Sequence, residues 1–560
     1  MNNKLWTINY SKYKTIIAIV SVFVVSFLVL FLSMDRTINI YDEGIMLTGA
    51  IRITAGDIPH RDFYANYGPA EFYLLSWLFD VFGQRIVVER IFDLVVRAGI
   101  ITIVYASLIL YCRQTIVIFV IVICALWLCT VGNHGYPIYS VLLLTIGSSM
   151  MVLKILTRST SISYQLIAGL LTGLSALFRY DVGFFAFIAH ILSVSIITLQ
   201  TKYYQNNKIR CILHNFFPYI IATGFPVVAV LIWYWFNEAL YPFIHDVILF
   251  PSEYYNRTRS LPFPGFYNIT HTKNGVIYLP IVIICTVMLL FFIENIKLFK
   301  TYYKLSIREV FARNNGVEFL IVFSLLTAIF YMKGLVRVSV EHMQLALIPS
   351  LMVIALLMEI AISNTKWFRA IIVIVATISF VTALTSGYEK IIDRKDLVLS
   401  DFSGFYKLIS NLKVDVESDG SSTIQRKSAF FVSRDRDAAI SFIVRNTAPD
   451  ERIFIGLTRH DKVFINDVSS YFQTNRLPAT KWHHFDPGLQ SSVEIQSKII
   501  DDLEQNKPRY IWLESTWDKV NEPNESANSS GITILDEYIR RKYKLAQNFG
   551  RILVWKRSFE

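Results

Sequence analysis

The chain has 560 residues, 54% hydrophobic and only 17% charged, with a mean hydropathy of +0.44 and a formal net charge of +11. Soluble proteins carry about 25% charged residues. The deficit excludes a disordered chain and argues against an ordinary soluble enzyme, and the length exceeds a single core of usual size.

The first predicted element is residues 15–33, a run of 19 residues without a charge. That length crosses the hydrocarbon core of a bilayer as a helix. Lys4, Lys12 and Lys14 precede it, and no small-x-small cleavage pattern follows, which predicts an uncleaved anchor. Further apolar runs lie at 92–111, 116–131, 137–153, 163–178, 182–200, 215–236, 276–296, 316–332, 343–361 and 367–385. Together they predict eleven membrane helices, because only helices satisfy the backbone across so many spans without barrel-like alternation. With the N-terminus cytosolic, the inner segments hold sixteen Lys and Arg and a single acid, Glu309. The loop 34–90 on the other side holds eight acids and five bases. The bias fixes the orientation, and an odd number of spans puts the C-terminal tail outside. The basic excess is therefore an orientation signal, and no nucleic acid is expected as a partner.

Residues 1–385 read as a transmembrane domain with a long external loop at 34–90. Residues 386–560 are polar and read as a soluble extracytoplasmic α/β domain. Buried strands are expected at 452–456 and 509–513. A helix is expected over 491–506, started by a Ser491/Glu494 capping box with Ile495, Ile499 and Leu503 on its apolar face. None of the five cysteines has metal-ligand spacing or lies on the outer side, so no disulfide scaffold is expected.

The external loop is too long to be a mere connector. Residues 69–82 within it are apolar and aromatic but too short to span, and read as a helix lying in the interface. Asp42 and Glu43 fall just past the first span. A carboxylate there can act as a general base or hold a divalent cation; equally, the pair can sit solvated in the loop or cap a helix. Arg61 can meet a phosphate, the neighbouring Asp62 or a lipid headgroup. Asp93 and Arg97, four residues apart, are expected as a helix-surface pair. His134 lies in an outer turn where donor or acceptor can pass. Arg179 and Asp181 occupy a short outer turn, where they either face a cavity or pair with each other. The aromatic-rich loop 237–275 reads as an interfacial belt. Lys333, Arg337 and His342 lie within ten residues of each other on the outer side, suited to phosphate, with the histidine also a metal candidate or simply a helix-terminal residue.

Three motifs of the long loop, Tyr41-Asp42-Glu43-Gly44, Gly56-x-x-Pro-x-Arg-Asp-Phe63 and Tyr67-Gly68-Pro69, resemble the first external loop of GT-C glycosyltransferases. The likeness is to the dolichyl-phosphate-mannose protein mannosyltransferase group, whose bacterial members include the lipid A aminoarabinose transferases and relatives that modify lipopolysaccharide. It extends to the layout of many spans, an acidic first outer loop and a C-terminal outer domain. The resemblance implies a glycosyltransferase moving a sugar from a polyprenyl-phosphate donor to an envelope glycan, lipid or protein, with inversion. It implies Asp42, with Glu43 beside it, as the general base. Arg61, Lys333, Arg337 and His342 become donor-phosphate ligands, and Asp62, Tyr67, His134, Arg179 and Asp181 substrate contacts or their supports. A divalent cation on Glu43 and His342 is the one cofactor the pattern admits. Relatives often carry an acid two residues after the arginine of the 333–342 segment; Ser339 stands there, which weakens any metal role. The implied location is a bacterial inner membrane with the C-terminal domain in the periplasm, among membrane lipids. The alternatives are a ligase or polymerase using a lipid-diphosphate glycan, and a transporter or flippase; no internal repeat supports the latter.

Overall fold

The computed structural model describes residues 2–34, 38–130, 135–157, 161–200, 208–265, 275–295, 316–362, 369–384 and 434–558. Seven described helices are long and apolar enough to cross a membrane: Tyr13–Leu32, Ile86–Leu108, Pro137–Leu156, Tyr180–Leu199, Phe216–Phe236, Gly316–Gly334 and Leu345–Ile362. Four shorter apolar helices, Gln114–Thr130, Ile162–Phe178, Ile277–Leu290 and Arg369–Leu384, fall on the remaining runs. These eleven helices match the eleven expected spans. Their outer faces stay apolar, with Phe225 70% and Trp235 71% exposed, as helices surrounded by lipid require. The chain is a polytopic helical membrane protein.

In chain order the first elements are α1 (Asn2–Leu32), α2 (Asp42–Thr54), α3 (Pro69–Phe82), α4 (Ile86–Leu108), α5 (Gln114–Thr130), α6 (Pro137–Thr157), α7 (Ile162–Phe178), α8 (Tyr180–Gln200) and α9 (Lys208–Phe236). The α3 helix occupies the expected 69–82. Pro69 supplies a preset φ for its first turn, and Gly83 leaves it at φ 84°. Phe72, Leu75 and Phe79 are buried while Trp77, Val81 and Phe82 face outward. The α2 helix was not expected from the sequence.

Asp93 and Arg97 form an ion pair inside the bundle. Arg97 Nε lies 2.8 Å from Asp93 Oδ2 and its guanidinium stacks 3.7 Å from the centre of the Tyr139 ring. Both residues are buried, so this i,i+4 pair is an interior one and not the surface pair expected. At the far end of the bundle Arg113 Nε meets Glu359 Oε1 at 3.0 Å.

The C-terminal residues form a four-stranded sheet in the order β1-β2-β4-β3, with β1 (Phe454–Leu457), β2 (Tyr510–Glu514), β3 (Tyr543–Phe549) and β4 (Ile552–Arg557). β1 and β2 are parallel and wholly buried, close to the two expected strands. The β3–β4 hairpin completes the sheet with a bulge between Leu545 and Gln547. The helix expected at 491–506 is Val493–Asn506. Its cap is Ser492, whose Oγ accepts from Ile495 N at 3.3 Å, and not Ser491; Glu494 instead pairs with Lys498 at 2.6 Å.

This sheet region is docked on the first loop. Val468 N and Ser469 N donate to Ile40 O at 2.9 and 3.0 Å, Thr48 Oγ1 to Val468 O at 3.0 Å, and Tyr64 N to Lys481 O at 3.1 Å. Two motif glycines let the first loop pack closely, Gly44 against the sheet region and Gly68 against the end of α7. A Cβ on Gly44 would lie 2.5 Å from Ser469 N, and one on Gly68 2.0 Å from Leu177 O. Any side chain at either place forces the backbones apart.

Candidate active site

The loops at one end of the bundle and the face of the C-terminal region enclose a cavity of about 1160 Å³. Its wall carries Asp42, Tyr67, Arg179, Asp181, Lys333, Arg337 and His342, so seven expected site residues from four separate stretches of chain converge there. All four stretches belong to the side that the Lys and Arg bias assigns as external.

Asp42 opens α2. The Asn39 side chain accepts from the backbone N of Tyr41 and Asp42 at 3.0 and 2.9 Å, a tight turn that starts the helix without using the Asp42 carboxylate. That carboxylate has one long contact, 3.5 Å from Asn39 Nδ2, and no ion-pair partner among the described residues. Burial pushes its pKa up from the usual aspartate value, opposed mainly by Arg259.

Glu43 points the other way. It is fully buried, forked by Arg90 at 2.7 and 2.8 Å, and it accepts from Asn39 N at 2.9 Å. It does not line the cavity. Its position is that of an anchor between α2 and α4.

Across the cavity, Arg179 forks Asp181 at 3.1 and 2.8 Å, and Lys333 Nζ lies 3.3 Å from the same carboxylate. Two cations thus share one acid. His342 Nδ1 meets Ser339 Oγ at 2.8 Å. Burial, together with Lys333, Arg337, Arg179 and Arg259 nearby, holds its pKa well below the ordinary histidine value, so the ring is neutral at pH 7. Arg337 donates to Glu522 at 2.8 and 2.6 Å and to Arg259 O at 2.8 Å. Tyr67 stacks under Arg179, 5.7 Å from guanidinium carbon to ring centre.

Two residues that the sequence reading did not single out complete the wall. Asp486 pairs with Arg259 and accepts from Tyr64 Oη at 3.1 Å; Tyr41 Oη lies 3.2 Å from it and donates to Phe485 O at 2.7 Å. Burial raises the Asp486 carboxyl, but Arg259, His484 and the hydrogen bond from Tyr64 together outweigh it and keep the carboxyl below the usual range. The two partners are 227 residues apart in sequence, so no local pattern joins them.

The 56–63 stretch is a folded clasp. His60 adopts φ 70° with its N 2.7 Å from Phe63 O, and Asp62 accepts from Ile58 N at 2.7 Å. Arg52 ties the clasp to the sheet region through Asp57 at 2.6 Å, Asp62 O at 2.8 Å and Thr480 O at 2.9 Å. Arg61, expected at the donor phosphate, is exposed, forked onto Asp62 at 3.0 and 2.8 Å, and outside the cavity wall. His134 lies outside the described residues. Among the described residues no group of three or more His, Cys, Asp or Glu is placed to hold a metal ion. Glu43 and His342 sit in separate networks and do not form a cation site.

A second, apolar groove of about 200 Å³ lies among the spans, lined by Ile123, Leu279, Val282, Leu351 and Val375. Trp127 lines both this groove and the main cavity, so the two are neighbours.

No protein-family model matches the chain, and a search of curated proteins finds no match. Solved structures do match. The chain is similar to the crystal structure of ArnT from Cupriavidus metallidurans bound to undecaprenyl phosphate, with TM-score 0.53, 12% identity and coverage of 97% of this chain and 98% of that one. The apo state of the same protein matches equally, at TM-score 0.53 and 12% identity over 97% and 98% of the two chains. A weaker likeness, TM-score 0.35 and 13% identity over 88% of this chain and 68% of that one, is to the Archaeoglobus fulgidus oligosaccharyltransferase in complex with zinc and sulfate. At that level it carries no weight. The likeness to ArnT runs from end to end of both chains, and this chain shares its fold.

Proposed function

We propose that the protein is an inverting glycosyltransferase that takes a sugar from a polyprenyl-phosphate donor, with Asp42 as general base. The observation that carries the reading is the state of Asp42: a carboxylate without an ion-pair partner among the described residues, destabilised by burial, lining the same cavity as a cation cluster with one carboxylate too few. Such a group is poised to take a proton.

In this reading the acceptor hydroxyl gives its proton to Asp42 as its oxygen bonds to the anomeric carbon. The bond from that carbon to the phosphate oxygen breaks, and its electron pair leaves with the polyprenyl phosphate. The donor phosphate has one negative charge and the leaving phosphate two. Lys333 and Arg179, which share Asp181, offset that gain, and Arg337 stands beside them. His342, being neutral, donates or accepts a hydrogen bond without adding charge. The apolar groove beside Trp127 takes the start of the prenyl chain. The ArnT neighbour was solved with undecaprenyl phosphate, which supports a lipid phosphate of this type. Residues 1–385 act as the membrane domain and 386–560 as its extracytoplasmic partner, with the cavity opening on the outer face of a bacterial inner membrane. The Lys and Arg bias supports that orientation.

The test is transfer by purified protein in lipid nanodiscs, with a panel of polyprenyl-phosphate sugars and envelope extracts as acceptors. The expected result is release of polyprenyl phosphate with a product of inverted anomeric configuration. Retention of configuration, or no donor in the panel consumed, contradicts the reading.

A further inference from the structure

The two sides of the cavity differ in charge and in what is left unpaired. On the bundle side Arg179 and Lys333 face Asp181 alone, an unmatched positive charge that a phosphodiester fills. On the side built with the C-terminal region the cations are matched one to one, Arg259 by Asp486 and Arg337 by Glu522. Among the described charged residues of the wall, Asp42 is the one without an ion-pair partner. A second anion brought beside it would meet repulsion and no free cation.

What this side does offer is an aromatic face and unpaired hydrogen-bonding atoms. Trp517 and Phe464, both on the wall, pack with ring centres 5.7 Å apart. The loop that bears Trp517 is pinned over the cavity by Glu522 on Arg337 at 2.6 Å and by Asn524 Nδ2 on Ser260 O at 2.9 Å. Trp517 Nε1 and Asn66 Oδ1 are buried without a hydrogen-bond partner among the described residues, and both residues line the cavity. An orphaned buried polar atom destabilises the empty site, a penalty that a ligand's hydroxyl group relieves. A cavity wall that carries an apolar ring face, one unpaired donor and one unpaired acceptor suits an uncharged polyhydroxylated ligand.

We propose that Trp517, Phe464 and Asn66 form the acceptor subsite and that the acceptor is an uncharged saccharide, attacked through one of its hydroxyls rather than through a phosphate. The proposal rests on the transfer reaction described above. The sugar's C–H face lies on the indole, and its hydroxyls pair with Trp517 Nε1 and Asn66 Oδ1. The hydroxyl that reacts is the one presented to Asp42.

Saturation-transfer NMR on the full chain in nanodiscs tests this without requiring turnover. The probes are neutral di- and trisaccharides built from glucose, galactose and N-acetylglucosamine, each matched with its 1-phosphate. The expected result is binding of at least one neutral probe in preference to its phosphate. Binding falls about tenfold in Trp517→Ala, the scale on which a site rejects a ligand it cannot hydrogen-bond and stack, and Trp517→Phe retains part of it. Preference for the phosphorylated probes, no neutral probe bound, or undiminished binding in a folded Trp517→Ala overturns the proposal. Undiminished sugar transfer by Asp42→Asn would instead sink the base assignment and leave saccharide binding standing, so the two failures are distinguishable.

Discussion

Asp42 and Glu43 are neighbours in sequence and belong to two regions of opposite character. The cavity wall, where Asp42 sits, holds a carboxylate with no cation of its own and a pair of cations with too few carboxylates. The packing between α2 and α4, where Glu43 sits, holds a carboxylate fully occupied by Arg90 and Asn39. The first arrangement stores electrostatic imbalance and the second removes it. One residue step along a helix is a turn of about 100°, enough to send two like side chains to opposite fates. The lesson is that an acidic pair is not a unit: Glu43 is tied into the packing by Arg90, and Asp42 is left on a cavity wall.

The comparison breaks most sharply if the two residues are exchanged in role. Asp42→Asn should lower the rate about 10³-fold, in the range of a lost general base, with little change in melting temperature. Glu43→Gln should cost about 3–5 kcal/mol of stability, because Arg90 is left buried with its fork broken. Thermal unfolding and single-turnover assays on both variants check the pair. Lys333→Met should follow, with a loss of about 10²-fold in kcat/KM as one leaving-phosphate contact disappears, and with folding intact.

Glu71 sharpens the contrast within the buried class. It is buried with no cation partner among the described residues, accepting from Ser140 Oγ at 3.0 Å, and burial pushes its pKa from 4.5 up to about 8. The folded protein therefore keeps a proton that the unfolded chain loses above 4.5, and the contribution of this residue to stability falls as pH rises from 4.5 to about 8. Glu71→Gln, a shape match for the protonated acid, should flatten that dependence in melting curves taken across the interval. The smallest effect is expected at Arg61. It is exposed and held by Asp62 outside the cavity, so Arg61→Ala should change transfer by less than about twofold, the scale of a surface contact.

The spans were legible because lipid leaves one solution for apolar runs of that length. The cavity was legible in part. Lys333, Arg337 and His342 announced themselves as charge at a span end, and Arg179 and Asp181 did the same. Arg61 misled because motif membership was read as contact, whereas the 56–63 clasp exists to hold the first loop against the sheet region through Arg52. Arg259 and Asp486 stayed hidden because their pairing joins an aromatic loop to the C-terminal region, a tertiary meeting with no periodicity to betray it. Gly44 and Gly68 were visible as motif letters. Their reason, backbone against backbone, appears only when Ser469 and Leu177 are in place.

The central claim is that Asp42 takes the acceptor's proton, and the pH dependence of single-turnover transfer tests it most directly. A base must be deprotonated to act, and burial holds the pKa of Asp42 above the usual aspartate value. The wild-type rate should therefore fall as pH drops, with a midpoint higher than that of an ordinary aspartate, and the residual rate of Asp42→Asn should be flat across the same range. An acid limb that persists unchanged in Asp42→Asn, or a variant that transfers at the wild-type rate, would contradict the account.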